Sequence, residues 1–265
     1  MRAGSALAVV MLVFAPADKS WSAPLRVMSL DQCADQYVLA LRPDAEVRLS
    51  PRADDPDAYL REAAREHRRI RPTLEAAVAF KPDVVVRYWG GDMRLLSRLK
   101  SDGITVATIN DSQDFEGIRQ NIQTVSQALG ASERGDDLIR DMDAKLQASK
   151  GRGQGRSATY LTASGFTAGP ETLIDSVLRA AGFTNGTKAA GYQPLGLERA
   201  LLNPPLLFVR GFFEQLMADW RGTGRHPVLK GLMQKRTVAD LPASTLTCPA
   251  WFAADAVTTL AKVDP

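Results

Sequence analysis

One segment constrains the fold of this chain more than any other, because it occurs twice. LEAAVAFKPDVVVR, residues 74–87, and LERALLNPPLLFVR, residues 197–210, align without a gap, with Leu, Glu, Ala, Pro, Val and Arg at the same offsets. Each copy reads as a short helix, a proline just past its end, and an apolar run too continuous for a half-exposed strand. Each closes on an arginine where the strand runs out, Arg87 or Arg210. A helix leading into a strand buried on both faces is part of a parallel βα series, so the repeat predicts two α/β halves.

The flanking sequence fills in both halves. RVMSL reads as a buried strand, ADQYVLAL as a helix with Tyr37, Val38 and Leu41 at helical spacing, and the stretch around Val47 and Leu49 as a second strand. DDPDAYLREAAREHR is polar and predicts a helix starting near Pro56. Thr73 is placed to cap TLEAAVAF, MRLLSRLKSDG is an amphipathic helix ended by Gly103, and ITVATIN is the next strand. From Asp114 the strand signal stops. Phe115, Ile118, Ile122, Val125 and Leu129 keep helical spacing, Gly130 interrupts, and Ser132 is positioned to cap a second helix. That helix would run about 19 residues, or roughly 28 Å. SATYLTA opens a second series of strands and helices that closes on ADAVTTLAK. The expected fold class is α/β, with two Rossmann-like lobes of mostly parallel sheet bridged by a long α-helix. The divisions are residues 23–113 for the N-terminal lobe, 114–150 for the linking helical segment and 151–265 for the C-terminal lobe.

The first residues add a destination. Arg2 is followed by ALAVVMLVFAPA, an apolar run well short of the roughly 20 residues that span a bilayer. A positive start, a short apolar core and small residues after it predict a secretory signal peptide over residues 1–22, cleaved after Ala17 or Ser22. Export to the periplasm is expected, with no cysteine placed for a lipid anchor. The net charge is +3 with no long Lys/Arg run, which excludes a nucleic-acid partner.

Catalysis finds little support. Of the two histidines, His67 lies in a charged stretch and reads as solvated, and His226 precedes Pro227 at a helix start, a structural position. No nucleophile elbow, zinc-protease or phosphate-loop motif is present. A secreted α/β hydrolase would need a nucleophile–base pair that isolated histidines do not supply. Binding is better served. Ligands of parallel α/β lobes sit off the carboxyl ends of the strands. There the sequence places Cys33; Arg87, Tyr88 and Trp89; Phe166 and Thr167; Arg210 and Phe212; and Cys248 and Trp251. Aromatics are only 7% of the chain, yet they recur at these ends. Arginines with aromatic neighbours suit a large, flat, partly anionic ligand. Glu75 and Glu198 start the two repeated helices. The helix dipole favours each one locally, but it does not explain why both halves carry one at the matched position.

With these segments in order, from RVMSLDQCADQYVLAL through LEAAVAFKPDVVVRYWGG, FTAGPETLIDSVLRAAG and LERALLNPPLLFV to HPVLKGL, the chain resembles the periplasmic substrate-binding proteins of iron-chelate and cobalamin ABC importers. The resemblance covers the whole mature chain and is most specific in LEAAVAFKPDVVV. It implies two lobes on a rigid helix with little hinge motion, and a ligand held in the shallow cleft between them. It also implies one glutamate per lobe, here Glu75 and Glu198, meeting arginines on the two subunits of an ABC permease dimer in the inner membrane. The implied role is a non-enzymatic carrier with no resident cofactor or metal site. Its cargo would be a metal chelate: cobalamin, a ferric siderophore or, with Tyr88 and His226 as candidate ligands, haem. A ligand-sensing receptor of the same fold is a further reading. Cys33 in LDQCADQ departs from the family's usual first loop, and Cys248 falls in the corresponding loop of the other lobe. Three arrangements are open: separate free thiols, an inter-lobe disulfide, or soft contacts to ligand or metal.

Overall fold

The N-terminal sheet grows outward in both directions from its first strand. In chain order the elements are β1 (Arg26–Ser29), α1 (Gln32–Leu41), β2 (Glu46–Leu49), α2 (Arg61–Ala64), β3 (Arg68–Arg69), α3 (Leu74–Phe80), β4 (Val84–Arg87), α4 (Met93–Ser101) and β5 (Thr105–Thr108). The strands are all parallel in the order β3-β2-β1-β4-β5. This is a computed structural model, and it describes residues 24–215 and 221–263; the expected signal peptide over residues 1–22 lies outside them. Alternation along the inner strands decides the layers. Val27, Val84 and Val86 enter one apolar cluster, and Met28 and Val85 enter another on the opposite face. Thr73 caps α3 by accepting from the Ala76 N–H at 3.2 Å, and the helix stops at Lys81 in a left-handed conformation, just before Pro82.

One expected helix is mostly missing. The polar stretch after Pro56 forms only α2, a single turn. The residues before it are held by side chains instead: Gln36 Oε1 accepts from the Leu60 N–H at 2.6 Å, and Arg61 Nε donates to the Asp54 carbonyl at 3.1 Å. These ties fix turns that a helix could not satisfy. His67 consequently lies in the turn before edge strand β3, not on a helix.

Two helices connect the lobes, α5 (Phe115–Ala128) and α6 (Ser132–Ser149). Phe115, Ile118, Ile122, Val125 and Leu129 are all buried, as their spacing requires. Ser132 is the first helical residue of α6, not its cap; Ala131 takes the cap position without a side-chain bond. The two helices cross closely at Gly135, where a Cβ would lie 2.5 Å from Ser126 Oγ.

The C-terminal elements are β6 (Ser157–Thr162), β7 (Phe166–Ala168), α7 (Leu173–Ala180), β8 (Thr184–Asn185), β9 (Tyr192–Pro194), α8 (Leu197–Leu202), β10 (Leu207–Gly211), α9 (Pro227–Met233), β11 (Thr237–Leu241) and α10 (Ala253–Ala261). Four strands form a parallel sheet, β11-β10-β6-β8, and β7 with β9 makes a separate antiparallel ribbon. One apolar cluster runs from α1 through α5 to β6, α7 and α10, so the lobes share an inner layer. The outer layers are separate. One lies between the N-terminal sheet and α3 and α4, and its counterpart between the C-terminal sheet and α8 and α9. The two copies of the repeated segment therefore occupy equivalent outer positions. Among the described residues no helix is long and apolar enough to cross a membrane.

Candidate functional site

Both sheets reverse their direction of growth once, and the crevice at such a point is where α/β sheets bind ligands. In the N-terminal lobe it lies between β1 and β4, and in the C-terminal lobe between β6 and β10. Asp31 organises the first crevice. Its carboxylate caps α1 by accepting from Ala34 N–H at 3.0 Å, and its other oxygen accepts from Tyr88 N–H at 2.6 Å and Gly90 N–H at 2.9 Å. Glycine is required at position 90, since a Cβ would sit 2.3 Å from the Leu30 carbonyl oxygen. Arg87 turns back on this loop and donates from Nε to the Gly90 carbonyl at 2.7 Å. Tyr88 donates to Asp111 at 3.0 Å, and burial together with that carboxylate pushes its hydroxyl up to about 12. Trp89 packs edge-on against Tyr88 at 5.0 Å and is 71% exposed. Tyr88, Trp89, the first turn of α1 and residues 50–52 line a cavity of about 550 Å³, closed on one side by Thr247 from the other lobe.

Beneath this cavity lies Asp35, a buried carboxylate that sequence reasoning did not single out. It accepts from Ser29 Oγ, from Ser50 N–H at 2.8 Å and from Ser50 Oγ at 2.6 Å, tying the ends of β1 and β2 to α1. Burial raises its pKa to about 6 against the opposing effect of the serine hydrogen bonds, and Asp31 adds a small like-charge push.

In the C-terminal lobe a cavity lies beside the crevice, at the carboxyl ends of β10 and β11, and its chemistry differs. Its volume is about 510 Å³, and it is lined by Arg210, Phe213, Arg225 and Asp240 among others. Arg210 is spoken for: its guanidinium makes a two-point contact with the Asp240 carboxylate. The guanidinium carbons of Arg210 and Arg225 both lie over the Phe213 ring, 5.2 Å and 5.3 Å from its centroid. Phe212 holds a left-handed backbone, φ 62°, directly after β10. A non-glycine residue there costs about 1–3 kcal/mol and marks a loop held in place by its surroundings.

The ribbon of β7 and β9 supplies a wall the sequence did not reveal. Phe166 and Ala168 pair with Pro194 and Tyr192, so these four share one face. Phe166 is 46% and Tyr192 62% exposed. Burial raises the Tyr192 hydroxyl, and Asp111 of the N-terminal lobe, the partner of Tyr88, adds to the shift, so the ribbon lies near the Tyr88–Asp111 pair. Thr167 points the other way, is buried, and shares a 2.7 Å hydroxyl–hydroxyl bond with Thr187; it does not face the cleft.

The floor between the lobes is tightly built. Cys33 and Cys248 form a disulfide with a Cα–Cα distance of 5.5 Å, which removes the free-thiol and soft-ligand arrangements. One turn further along α1, Tyr37 donates to the Pro249 carbonyl at 2.7 Å, and burial pushes its hydroxyl pKa upward. Asp57 accepts from Gln32 of its own lobe at 3.0 Å and from Gln215 and Thr247 of the other at 3.3 and 3.4 Å. Trp251 is a correction to the ligand set. It is buried, edge-on to Tyr37 at 5.4 Å and to Tyr59 at 6.5 Å, and so wedges the lobes from below. Tyr59 stacks on Phe252 at 4.4 Å and donates to Asp255 at 2.5 Å.

Glu75 and Glu198 lie elsewhere, both exposed in the first turns of α3 and α8. Glu75 is held below the usual carboxylate range chiefly by its own backbone N–H, with help from Thr73. His226 caps α9, accepting from Val228 N–H at 3.3 Å, the structural position its sequence suggested. Among the described residues no group of three or more His, Cys, Asp or Glu side chains is arranged to hold a metal.

Comparison with known proteins agrees with this architecture. Residues 39–245 match the family model described as periplasmic binding protein. An uncharacterized ABC transporter substrate-binding lipoprotein of Bacillus subtilis, YvrC, is 31% identical over 77 residues, which span 28% of this chain and only 24% of that relative. The periplasmic heme-binding protein BhuT in complex with two hemes superposes with a TM-score of 0.67 at 24% identity, covering 89% of this chain and 96% of that one. The periplasmic vitamin B12 binding protein BtuF of Vibrio cholerae superposes with a TM-score of 0.60 at 19% identity, covering 91% and 97%. At these identities the superpositions speak to the fold. The family match extends over most of the chain and both lobes, and by it the chain belongs to the periplasmic binding protein family.

Proposed function

We propose that this chain is the substrate-binding component of an ABC importer, which takes up a metal chelate outside the cytoplasmic membrane and hands it to a membrane permease. The observation that supports the reading is a set of accessible rings beside the crevices: Tyr88 and Trp89 line the N-terminal cavity, and Phe166 and Tyr192 stand exposed on the ribbon of the other lobe. Exposed aromatic faces on both sides favour a broad, flat ligand: each ring offers area for burial and a quadrupole for stacking. The engagement of Arg210 by Asp240 argues against a strongly anionic siderophore and for a macrocyclic chelate, the class named for both BhuT and BtuF.

Glu75 and Glu198 are the docking pair of this reading. Both are exposed on outer helices, and both have exposed apolar neighbours: Val78 beside Glu75, and Leu201, Leu202 and Leu206 around Glu198. Rim charges of this kind set orientation and on-rate more than affinity. Titration of the purified protein with hemin and cyanocobalamin, followed by Trp89 quenching and chelate absorbance, tests the cargo; absence of binding to either, or to a ferric siderophore, would sink the carrier reading. Glu75→Ala combined with Glu198→Ala should reduce uptake through the permease severalfold with chelate affinity unchanged. Loss of chelate binding in that variant would place the glutamates in the pocket instead.

A further inference from the structure

We propose that the Cys33–Cys248 disulfide is a width stop for the cleft, one that makes this chain select thin, flat chelates over chelates with bulk on both faces. The proposal rests on the carrier reading and narrows its cargo. Apart from the bridge, the only covalent connection between the lobes is the chain through α5 and α6, and the non-covalent layer they share resists tilting without forbidding it. A second covalent anchor leaves free rotation only about the line between the two anchors. Here the second anchor is on the ligand side: Cys33 and Thr247, the neighbour of Cys248, both line the N-terminal cavity. Cys33 and Tyr37 are one helical turn apart on the same face of α1 and hold consecutive residues of the other lobe, Cys248 and Pro249. Asp57 closes the seam beside them by bonding to Gln32, Gln215 and Thr247.

The floor is therefore fixed while the walls above it are open. A planar macrocycle entering edge-first meets the Tyr88 and Trp89 rings on one face and Phe166 and Tyr192 on the other without moving the floor. A chelate with large axial groups needs the lobes apart at their base. That would stretch the Cα–Cα separation of the bridged cysteines from 5.5 Å past the roughly 7 Å a disulfide tolerates.

The test compares oxidised protein with the Cys33→Ser/Cys248→Ser double variant, each titrated with hemin and with cyanocobalamin. Oxidised protein should prefer hemin, and the double variant should narrow that preference at least tenfold, chiefly by gaining cyanocobalamin affinity. Oxidised protein treated with a dithiol reductant, which opens the bridge to two thiols by exchange, gives the same readout if the double variant folds poorly. Hemin binding with an unchanged preference ratio would overturn the width stop and leave the carrier reading standing. A preference of the oxidised protein for cyanocobalamin would do the same. Failure of every chelate to bind would overturn both.

Discussion

At the scale of single residues, two aspartates do most to build the site. Asp31 spends its carboxylate on three backbone N–H groups, joining a helix cap to the Tyr88–Gly90 loop. The sequence held no sign of the loop it would reach, because that loop lies 57 residues away. Asp35 was illegible for a different reason. An aspartate in the first turn of a helix is favoured by the dipole anyway, so nothing in LDQCADQ separates a buried one from a solvated one. Its raised pKa has a testable sign. The folded state holds the proton more tightly than the unfolded chain, so this group's stabilisation is complete below pH 4 and is lost as pH rises through about 6. Asp35→Asn, uncharged throughout, should therefore gain stability relative to the wild type between pH 4 and 7, by up to about 3 kcal/mol. Denaturant midpoints at the two pH values measure it; a constant difference would mean that Asp35 stays ionised throughout that range.

At the scale of elements, most helices and the central strands were legible because helical spacing, or a continuous apolar run bounded by proline and glycine, leaves a pattern in the sequence. The repeated segment marked α3–β4 and α8–β10 correctly, with Thr73 and Pro82 bounding the first helix. The ribbon of β7 and β9 was not legible: strands of three residues carry no period, and helix α7 and strand β8 intervene between the two. Tyr192 was not singled out with it, while Phe166 was a candidate by its position after β6. The helix pair α5 and α6 depends on a contact that only the structure reveals. Gly135→Ala should lower stability by about 1 kcal/mol. The helix propensity gained is about 1 kcal/mol, and the overpacking against Ser126 costs about 1–3. Adding Ser126→Gly removes the atoms in the way, and the pair of substitutions should recover the loss of clash in a double-mutant cycle. An additive result would deny the close crossing.

At the scale of the whole molecule, the shared inner core and the disulfide make two lobes behave as one unit. The bridge closes a loop with a sequence separation of 215 residues, and cross-links over loops of this size contribute about 2–5 kcal/mol. Cys33→Ser/Cys248→Ser should melt several degrees lower than the oxidised wild type, and dithiol reductant should then shift only the wild type. Equal melting temperatures would show the bridge to be energetically idle. The sequence left the cysteines undecided among three arrangements, and no local pattern could have chosen, since the deciding quantity is a distance between two lobes.

The same bridge dictates an order of events during biogenesis. Cys33 stands in the first helix and Cys248 just before the last, so during synthesis the first thiol appears long before its partner. It has no partner within the chain until the segment carrying Cys248 has been made. Nothing else within the chain can pair with it in the interval, because the two cysteines are the whole complement. The bond is thus a signature of completion: a truncated or stalled chain lacking the last helix region carries one reactive thiol, and a finished one carries none.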